Sequence, residues 1–561
     1  MFITRVRSRA KNGRKSYTSI LLRQSFRAGS KVKSKTLAVL THLPAQVINA
    51  IQKAIAQPTD SLAELAAGSQ EAFGLRTAES FGAVWTTHQI AQRLGIPSAL
   101  GVTAQAALGY WQTLARVLRP GVSLLAMVRL ATTCAAAGIL GWQRAFNEDD
   151  LYSNGAWLEG RHAVIERRLW QGRKAPASDS LFLYDVTSSY LEGMQNALGD
   201  WGYNRDGKKG KKQLVVGLLT DSQGEPVSIQ VYRGNTSDLK TFGDQVQKIK
   251  KQLGASAVSL VGDRGMIRSR QQAAAQKAGF HFITALTKPQ IRRLLQEKVL
   301  QMELFEEKVC EVVSPQGQRY VLRRNPVRQQ ELEQTRQQKR QSLEAAIAKA
   351  NLYLAEHKKA KARTQQKLLQ QRLVKLGLSR WLKLKQRKRT FSVEAEAKAL
   401  EAEALLDGCY VIQTDLKPEQ AGPQTVHDRY KDLARVERDF RTLKSGHLEF
   451  RPWFVCKAEN TQAHALTSML ALKVRRHLER AWEKLELTVE EGLRELETLC
   501  VIELIHPQSG EVVARQLPEP SSRQKQLLDA LGLTLPGTVP EAKVSVGTRK
   551  KIQQERKSAA K

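Results

Sequence analysis

The chain has 561 residues, of which 42% are hydrophobic and 25% are charged, a globular composition that excludes whole-chain disorder. Lys and Arg number 89 against 54 Asp and Glu, so the formal net charge of +35 favours a polyanionic partner such as nucleic acid. The five cysteines are scattered without a CxxC pair, which excludes a disulfide framework and a zinc finger.

The uncharged stretches of the chain are too polar for a membrane protein. The longest lies between Arg93 and Arg116 and contains Pro97, several glycines and hydroxyl side chains. The basic start of the chain lacks the apolar core and cleavage site of a secretory signal. We therefore expect a cytoplasmic protein that does not contact a membrane.

The first part of the chain predicts two different regions. Residues 1–45 alternate basic and apolar positions around glycine turns, which predicts a small basic β-rich segment. Residues 46–172 take a helical period and form a candidate DNA-binding region. Within it, HQIAQRLGIPSALGVTAQAALGYW fits a helix-turn-helix variant and fits equally well a packed helical subdomain.

After a short linker, the period changes to that of a sheet. Residues 180–289 follow the order β, β, β, α, β, α, β, which predicts a mixed α/β sheet rather than a doubly wound one. Neither GxGxxG after the first strand nor GxxxxGK[ST] is present. Nucleotide-cofactor and P-loop sites therefore have no support.

Residues 290–404 predict an insertion that is largely helical and basic. Apolar residues spaced by three and four positions predict two helices, one from Leu343 and one from Leu369. Trp381 follows within the basic run RWLKLKQRKR. This residue is a candidate for stacking on bases while its neighbours neutralise phosphates, the alternative being a solvated helix face.

The α/β domain then resumes over residues 405–450, where a strand precedes a long helix. Residues 451–545 predict a C-terminal helical region, and residues 546–561 predict a basic tail. The catalytic sheet is therefore expected to be split by the insertion.

Three acids have positions that suggest chemistry. Asp185 lies inside a short apolar strand, Asp263 ends another, and Glu437 lies at the edge of an apolar helix stripe. Such acids can converge at one edge of a sheet and bridge two Mg²⁺ ions. Singly, each has a simpler explanation as a cap, an ion pair or a solvent-facing charge. Together they favour a two-metal phosphoryl-transfer site.

The motifs around these acids resemble the insertion-sequence DDE transposases of the IS-four-like group. YDVTSSYLEG contains Asp185, GDRGM contains Asp263 and YKDLARVERDFRTLK contains Glu437, while RDGKKGKKQLVVGLL and GNTSD also match. The resemblance implies an RNase H-like catalytic domain with an insertion before the glutamate. It assigns catalysis and metal binding to the three acids. The intervals of 78 and 174 residues between them agree with such an interruption.

The third motif also contains candidate DNA contacts. Tyr430 and Lys444 lie seven residues before and after the glutamate, which places all three on nearly one side of a helix. The resemblance implies that Tyr430 and Lys444 contact DNA. The family has an arginine three residues after the tyrosine, but Leu433 occupies that position here. Arg435 and Arg438 are the candidates to replace it.

The resemblance implies a prokaryotic, DNA-associated transposase. Such an enzyme binds terminal inverted repeats in double-stranded DNA, cleaves the element ends with two Mg²⁺ ions, for which Mn²⁺ can substitute, and transfers the 3′-OH strands into target DNA. Synapsis of two ends implies a homodimer on DNA. Two other functions stay open, namely a non-catalytic DNA-binding derivative and an RNase H-like nuclease without strand transfer.

Overall fold

A computed structural model describes residues 2–9, 16–28, 31–56, 74–173, 180–253, 255, 258–451, 453–507 and 509–548. The chain divides into two units, one comprising Met1–Ala78 and Cys500–Pro518 and the other Glu79–Leu499 and Glu519–Lys561. Most of the linker before residue 180 and most of the predicted basic tail lie outside the described residues. Among the helices that are described, none is both long and apolar enough to cross a membrane.

The first unit contains two small sheets. One pairs β1 (Phe2–Arg9), β2 (Ser16–Ala28) and β3 (Lys31–Val39) antiparallel and is followed by helix α1 (Ala45–Ala56). The other has the order β16-β15-β4, with bounds Gly74–Ser80 for β4, Cys500–Ile505 for β15 and Val512–Gln516 for β16. The β-rich N-terminal segment is confirmed. The prediction that residues 451–545 are helical is wrong for β15 and β16, because these two strands pair in a sheet.

The second unit begins with a packed group of helices. Their bounds are α2 (Gly82–Arg93), α3 (Ile96–Leu100), α4 (Ala104–Leu118), α5 (Leu124–Thr133), α6 (Ala136–Ile139) and α7 (Glu148–Gln171). Thr103 caps α4 by accepting the Ala106 N–H at 3.2 Å. Every residue of α4 from Gly109 to Leu118 is buried. Only the first turn of this helix, at Ala104 and Gln105, is exposed, and the extensive burial of the rest favours a packed subdomain.

A mixed sheet forms the centre of the second unit, and its eight described strands have the order β10-β11-β14-β9-β8-β5-β6-β7. The bounds are β5 (Ser180–Tyr190), β6 (Gln213–Asp221), β7 (Pro226–Arg233), β8 (Val258–Gly262), β9 (His281–Ala285), β10 (Cys310–Val313), β11 (Arg319–Arg324) and β14 (Cys409–Thr414). Strands β5, β6 and β7 pair antiparallel, whereas β5, β8 and β9 pair parallel. This arrangement is the predicted RNase H-like mixed sheet.

The sheet is covered by apolar packing. Helices α8 (Asp238–Lys248) and α9 (Ser269–Lys277), with a π-turn over Ile249–Leu253, pack one core that includes Phe182, Phe242 and Phe282. The first eight residues of β6 are buried on both faces of the sheet. Such strands read as continuous apolar runs rather than alternating ones, which is the pattern found in the sequence.

The insertion differs in part from its expected form. Its elements are α10 (Lys288–Gln296), a 3₁₀ turn (Met302–Leu304), α11 (Pro326–Glu356), α12 (Ala362–Lys375), β12 (Leu382–Arg387), β13 (Thr390–Ala395) and α13 (Ala397–Ala404). The two expected helices are present as α11 and α12. The basic run forms the β12-β13 hairpin instead of a helix face. Lys388 at the hairpin turn takes a φ of +52°. Strands β10 and β11 extend the main sheet through β14.

The chain then returns to the sheet and closes with helices. Their bounds are α14 (Pro423–Lys431), α15 (Leu433–Lys444), α16 (Ala458–Trp482), a 3₁₀ turn (Glu483–Leu485), α17 (Val489–Glu497) and α18 (Ser522–Ala530). Asp432 separates α14 from α15, although its φ of −61° and ψ of −15° stay helical. The expected single helix is thus interrupted at one residue. The Asp432 N–H keeps the helical bond to the Asp428 carbonyl, whereas the Asp432 carbonyl accepts the Arg435 N–H, three residues on.

Candidate active site

The three predicted acids line one cavity of about 330 Å³. Tyr184 on β5 pairs with Gly262, the last residue of the parallel strand β8, so Asp185 and Asp263 follow paired positions. Parallel neighbours are about 4.8 Å apart, which brings these two residues to the same edge of the sheet. Glu437 reaches the cavity from α15, whose apolar stripe packs against β5 and β6.

Asp185 carries the electrostatic signature of the site. Burial, with smaller contributions from the negative charges of Asp263 and Glu437, raises the pKa of its carboxyl to about 7. The Val186 N–H donates to Asp185 Oδ1 at 2.8 Å, and this bond and the Arg205 charge oppose the increase. The charges of Asp263 and Glu437 are therefore close enough to affect the ionisation of Asp185.

Asp263 is held by its own loop and by Tyr430. The Arg264 N–H donates to Asp263 Oδ1 at 2.6 Å, and the Tyr430 hydroxyl donates to the same oxygen at 3.3 Å. Burial raises the pKa of Tyr430, and the nearby Asp263 charge adds to that increase. The hydroxyl therefore stays protonated and acts as a hydrogen-bond donor to the carboxylate.

Lys444 is tied to the protein rather than left free on the helix. Its ammonium donates to the Ser188 carbonyl and to Asp206 Oδ1, the latter at 2.9 Å. Asp206 is 3% exposed and also accepts from Arg451 Nη1 at 2.6 Å and from the Tyr190 N–H at 3.1 Å. Burial lowers the pKa of Lys444, and the hydrogen bond and negative charge of Asp206 partly offset this decrease. The side chain is thus fixed beside the end of β5.

Sequence reasoning missed three residues of this region, namely Arg205, Asp206 and Asp238. Arg205 ion-pairs with Asp238 at 2.8 Å and donates to the Val186 carbonyl at 3.0 Å, and both Arg205 and Asp238 line the cavity. All three fall inside the shared segments RDGKKGKK and GNTSD. Charged residues within those segments were the signal that could have identified them.

The remaining predicted contacts do not converge on the cavity. Arg435 bonds the Ser222 carbonyl and pairs with Asp432, and Arg438 pairs with Glu479 at 3.2 Å. Neither arginine lines the cavity of the three acids. Both are partly exposed on α15, so their predicted DNA contact stays a prediction.

The stacking role expected of Trp381 disagrees with its position. The side chain is 4% exposed and belongs to the core of the insertion, where it packs with Leu343, Leu369 and Phe391. An indole buried in this way cannot stack on a base without unfolding its surroundings. The basic residues that follow it project from the β12-β13 hairpin instead.

The three acids supply the oxygen ligands that a hard divalent cation prefers, but their side chains are not clustered closely enough to form a metal-binding group. Within the part of the chain that the structure describes, no three His, Cys, Asp or Glu side chains lie together as a metal-binding group. Asp185, Asp263 and Glu437 nevertheless present oxygen ligands to one cavity, where Arg205 is the cation and is already paired with Asp238. Burial, and to a smaller extent the charges of Asp263 and Glu437, raise the pKa of Asp185, and a bound divalent cation would oppose that increase.

Comparison with known families decides the relationship. A family model described as Transposase DDE domain matches residues 176–472, more than half of the chain. A second, described as IS1634 family transposase, N-terminal domain, matches residues 3–69. The chain belongs to the insertion-sequence DDE transposases. The predicted resemblance is confirmed, and the match spans all three acids of this transposase and its insertion. DDE transposase domains generally use divalent metals.

Other comparisons add little. A search of the curated proteins found no match for this transposase. Among solved structures, it is similar to the piggyBac transposase in a synaptic complex with hairpin DNA, at 8% identity and a TM-score of 0.37. That similarity covers 74% of this chain and 75% of the other. It is too low to transfer any residue role.

Proposed function

We propose that this transposase cleaves DNA at the ends of its insertion sequence and joins the freed 3′-OH ends to target DNA, with Asp185, Asp263 and Glu437 as the catalytic residues. The observation that carries the proposal is that these acids, 78 and 174 residues apart in the chain, line one cavity. Neither explanation of the acids as isolated caps or surface charges accounts for that convergence.

The three carboxylates would hold two Mg²⁺ ions, or Mn²⁺ in their place. When bound, these ions activate the attacking oxygen and stabilise the charge on the leaving oxygen of the phosphodiester. Tyr430 orients Asp263 through its hydroxyl, and Arg205 orients Asp238 at the rim. The protein residues thus keep the acids facing one cavity before DNA arrives.

Contacts with DNA are proposed for Tyr430, Lys444, Arg435 and Arg438. An ammonium has three donors, and Ser188 and Asp206 use two of those of Lys444, so one is left for a phosphate. Arg435 and Arg438 lie partly exposed on the same helix. The terminal inverted repeats and the target duplex are the proposed partners, with a homodimer joining two ends.

The decisive experiment compares the natural transposase with Glu437→Gln on DNA that carries the element ends, in the presence of Mg²⁺. We expect cleavage and joining by the natural protein and a loss of about a hundredfold or more in the variant, at unchanged DNA binding. Glu344→Gln, which removes an exposed carboxylate of the insertion paired with Arg340, is the matched control and should be fully active.

Two outcomes would overturn the proposal in different ways. If the natural protein binds the ends but neither cuts nor joins, the non-catalytic DNA-binding function is supported. If it cuts and never joins, the RNase H-like nuclease is supported.

A further inference from the structure

A second cavity, of about 660 Å³, lies between the N-terminal helices of the second unit and the segment that follows the Glu437 helix. We call it the Arg116 cavity. Its lining includes Arg116, Tyr152, Trp453, Phe454, Lys457 and Asn460. It is separate from the cavity of the three acids, with which it shares no lining residue.

Arg116 is a buried cation without an acidic partner. The side chain is 6% exposed, and its Nε and Nη2 bond Thr467 Oγ1 at 3.0 Å and His464 Nδ1 at 2.9 Å. Among the described residues, no carboxylate forms an ion pair with it, and its Nη1 has no hydrogen-bond partner. A buried charge of this kind is costly unless a counter-ion compensates it.

The neighbours of Arg116 do not supply that negative charge. Burial lowers the pKa of Arg116 to about 10, so the guanidinium is still charged at neutral pH. Burial and the Arg116 charge lower the pKa of His464 well below its usual value, so the imidazole is neutral. Among the residues that the structure describes, none supplies an anion that compensates this charge, and a bound anionic ligand would do so.

A helix N-terminus independently marks the same cavity. Helix α16 begins after Lys457, whose side chain makes no capping hydrogen bond, and both Lys457 and Asn460 line the cavity. The first N–H groups of a helix are donors without intrahelical acceptors, and the dipole there favours an anion. The helix dipole disfavours the positive charge of a lysine at this position, and a bound anionic ligand would offset that charge.

The remaining charged groups leave the cavity positive. Arg451 lines it and is paired with Asp206, and Glu449 is the one carboxylate among its described lining residues. Glu449 is exposed to solvent, and Glu459, the acid of the first helical turn, does not line the cavity. Two cations, Arg116 and Lys457, are therefore available to a ligand.

The cavity also offers aromatic surface. Phe454 is 71% exposed and Tyr152 is 48% exposed, although large apolar side chains are usually covered in a folded protein. Both line the same cavity as the two cations. An exposed aromatic ring beside an anion site suits the base or sugar of a nucleotide.

We infer that the Arg116 cavity binds a phosphate group of a nucleotide, held by Arg116 and Lys457 beside the N-terminus of α16. The phosphate belongs either to a DNA strand or to a free nucleotide. The DNA source rests on the proposed function, because Arg451 connects the cavity through Asp206 to Lys444 on the catalytic helix. The free nucleotide source does not depend on it.

Cys456 allows a direct test on the intact protein, since it is a free, exposed cysteine of the cavity wall. The rate of its alkylation by iodoacetamide would be followed by mass spectrometry with sodium phosphate, with deoxyadenosine 5′-monophosphate, or with duplex and single-stranded DNA of the element end. Sodium chloride at equal ionic strength is the control. Cys310, on strand β10 of the sheet, is the internal reference whose rate should not change.

Protection of Cys456 by phosphate or the mononucleotide supports a free ligand. Protection by DNA, lost when its phosphates are replaced by neutral methylphosphonates, supports a DNA strand. If none of them slows the alkylation, the inference is overturned. Because this readout needs no strand cleavage, failure of the phosphate site and failure of the transposase reaction are distinguishable.

Variants then connect the protection to the proposed ligands. Arg116→Gln should raise the ligand concentration needed for half-protection by about tenfold or more, because a charge-assisted hydrogen bond is lost. Lys457→Gln, an exposed substitution, covers the case in which Arg116→Gln does not fold. Arg293→Gln removes one exposed charge elsewhere and should change nothing. Unchanged protection in Lys457→Gln and in any folded Arg116→Gln would reject the site.

Discussion

At the scale of single residues, buried carboxylates organise the surroundings of the site. Asp206 accepts hydrogen bonds from Lys444, Arg451 and the Tyr190 N–H, all within 3.1 Å. Because Lys444 lies on the helix of Glu437 and Tyr190 lies on β5, these bonds connect that helix to the strand. A carboxylate that is 3% exposed is tolerated because both of its oxygens are satisfied. Asp206 positions the Lys444 ammonium beside strand β5, which carries Asp185.

We expect Asp206→Asn to destabilise the transposase by about 3 kcal/mol or more, because it leaves two partly buried cations without their anion. Urea unfolding would measure this loss. Glu331→Gln, which breaks an exposed pair with Arg328, should cost less than about 1 kcal/mol. Equal effects of the two substitutions would show that Asp206 has no special role. The double variant Asp206→Asn with Lys444→Met should recover part of the loss.

Glu166 predicts a specific response to acid. Burial alone would raise its pKa, but Lys248 at 2.7 Å and His162 at 2.9 Å outweigh that effect and lower the pKa to about 2. A depressed folded pKa gives stability that is complete above the unfolded pKa of about 4.5 and is lost as the pH falls towards 2.

The free energy of unfolding should therefore fall between about pH 4.5 and pH 2, by an amount on the order of 3 kcal/mol from this residue. Glu166→Gln should lack that part of the decrease and should be less stable at pH 7. Parallel unfolding curves of both proteins across this range are the measurement. If the two curves keep a constant difference, the carboxylate does not contribute as described.

At the scale of elements, the insertion separates a packed interior from a basic exterior. Trp381 belongs to the core that α11 and α12 form with the β12-β13 hairpin. The hairpin exposes Lys383 and Lys385, which are 64% and 55% exposed, towards solvent. Sequence reasoning assigned tryptophan and basic neighbours to one surface, whereas Trp381 lies in the turn before β12 and is buried. Within β12 the buried Leu382 alternates with the exposed Lys383.

Trp381→Ala should therefore destabilise the insertion by about 3–5 kcal/mol, as expected for a large buried aromatic. Trp381→Phe should keep most of the stability and should bind DNA as the natural protein does. Thermal unfolding and a DNA-binding titration of both variants provide the check. Loss of DNA affinity in a stable Trp381→Phe protein would restore the stacking role.

At the scale of the whole molecule, we expect the net charge of +35 to dominate association with DNA. Each phosphate that a Lys or Arg neutralises releases counter-ions, so affinity depends steeply on salt. The charge is distributed over both units rather than confined to a tail. A long contact surface is the consequence that we expect.

Binding of the transposase to non-specific duplex DNA should weaken about a thousandfold or more between 50 and 200 mM salt if six or more phosphates are contacted. Fluorescence anisotropy at several salt concentrations gives the slope. Lys383→Gln with Lys385→Gln should make the slope shallower by up to about 0.9 for each phosphate that is no longer neutralised. A flat salt dependence would contradict a large phosphate surface.

The main features of the fold and the three acids could be predicted from the sequence. Residues 180–289 show the order of strands and helices because the spacing of apolar residues records local backbone geometry. Asp185, Asp263 and Glu437 stand out because charges are rare beside buried strands and stripes. Strands β10 and β11 were assigned to the insertion instead, because sheet membership depends on a partner about 90 residues later in the chain.

The sequence by itself determined the charge, the family motifs and the identity of the acids, since each is a property of composition or of near neighbours. Tertiary structure alone decided that Trp381 is buried, that Lys444 is paired with Asp206 and that Arg116 has no acidic partner among the residues that the structure describes. Lys444 and Asp206 are 238 residues apart. The physical reason is that burial and ion pairing depend on which distant segments pack together, and local periodicity contains no record of that packing.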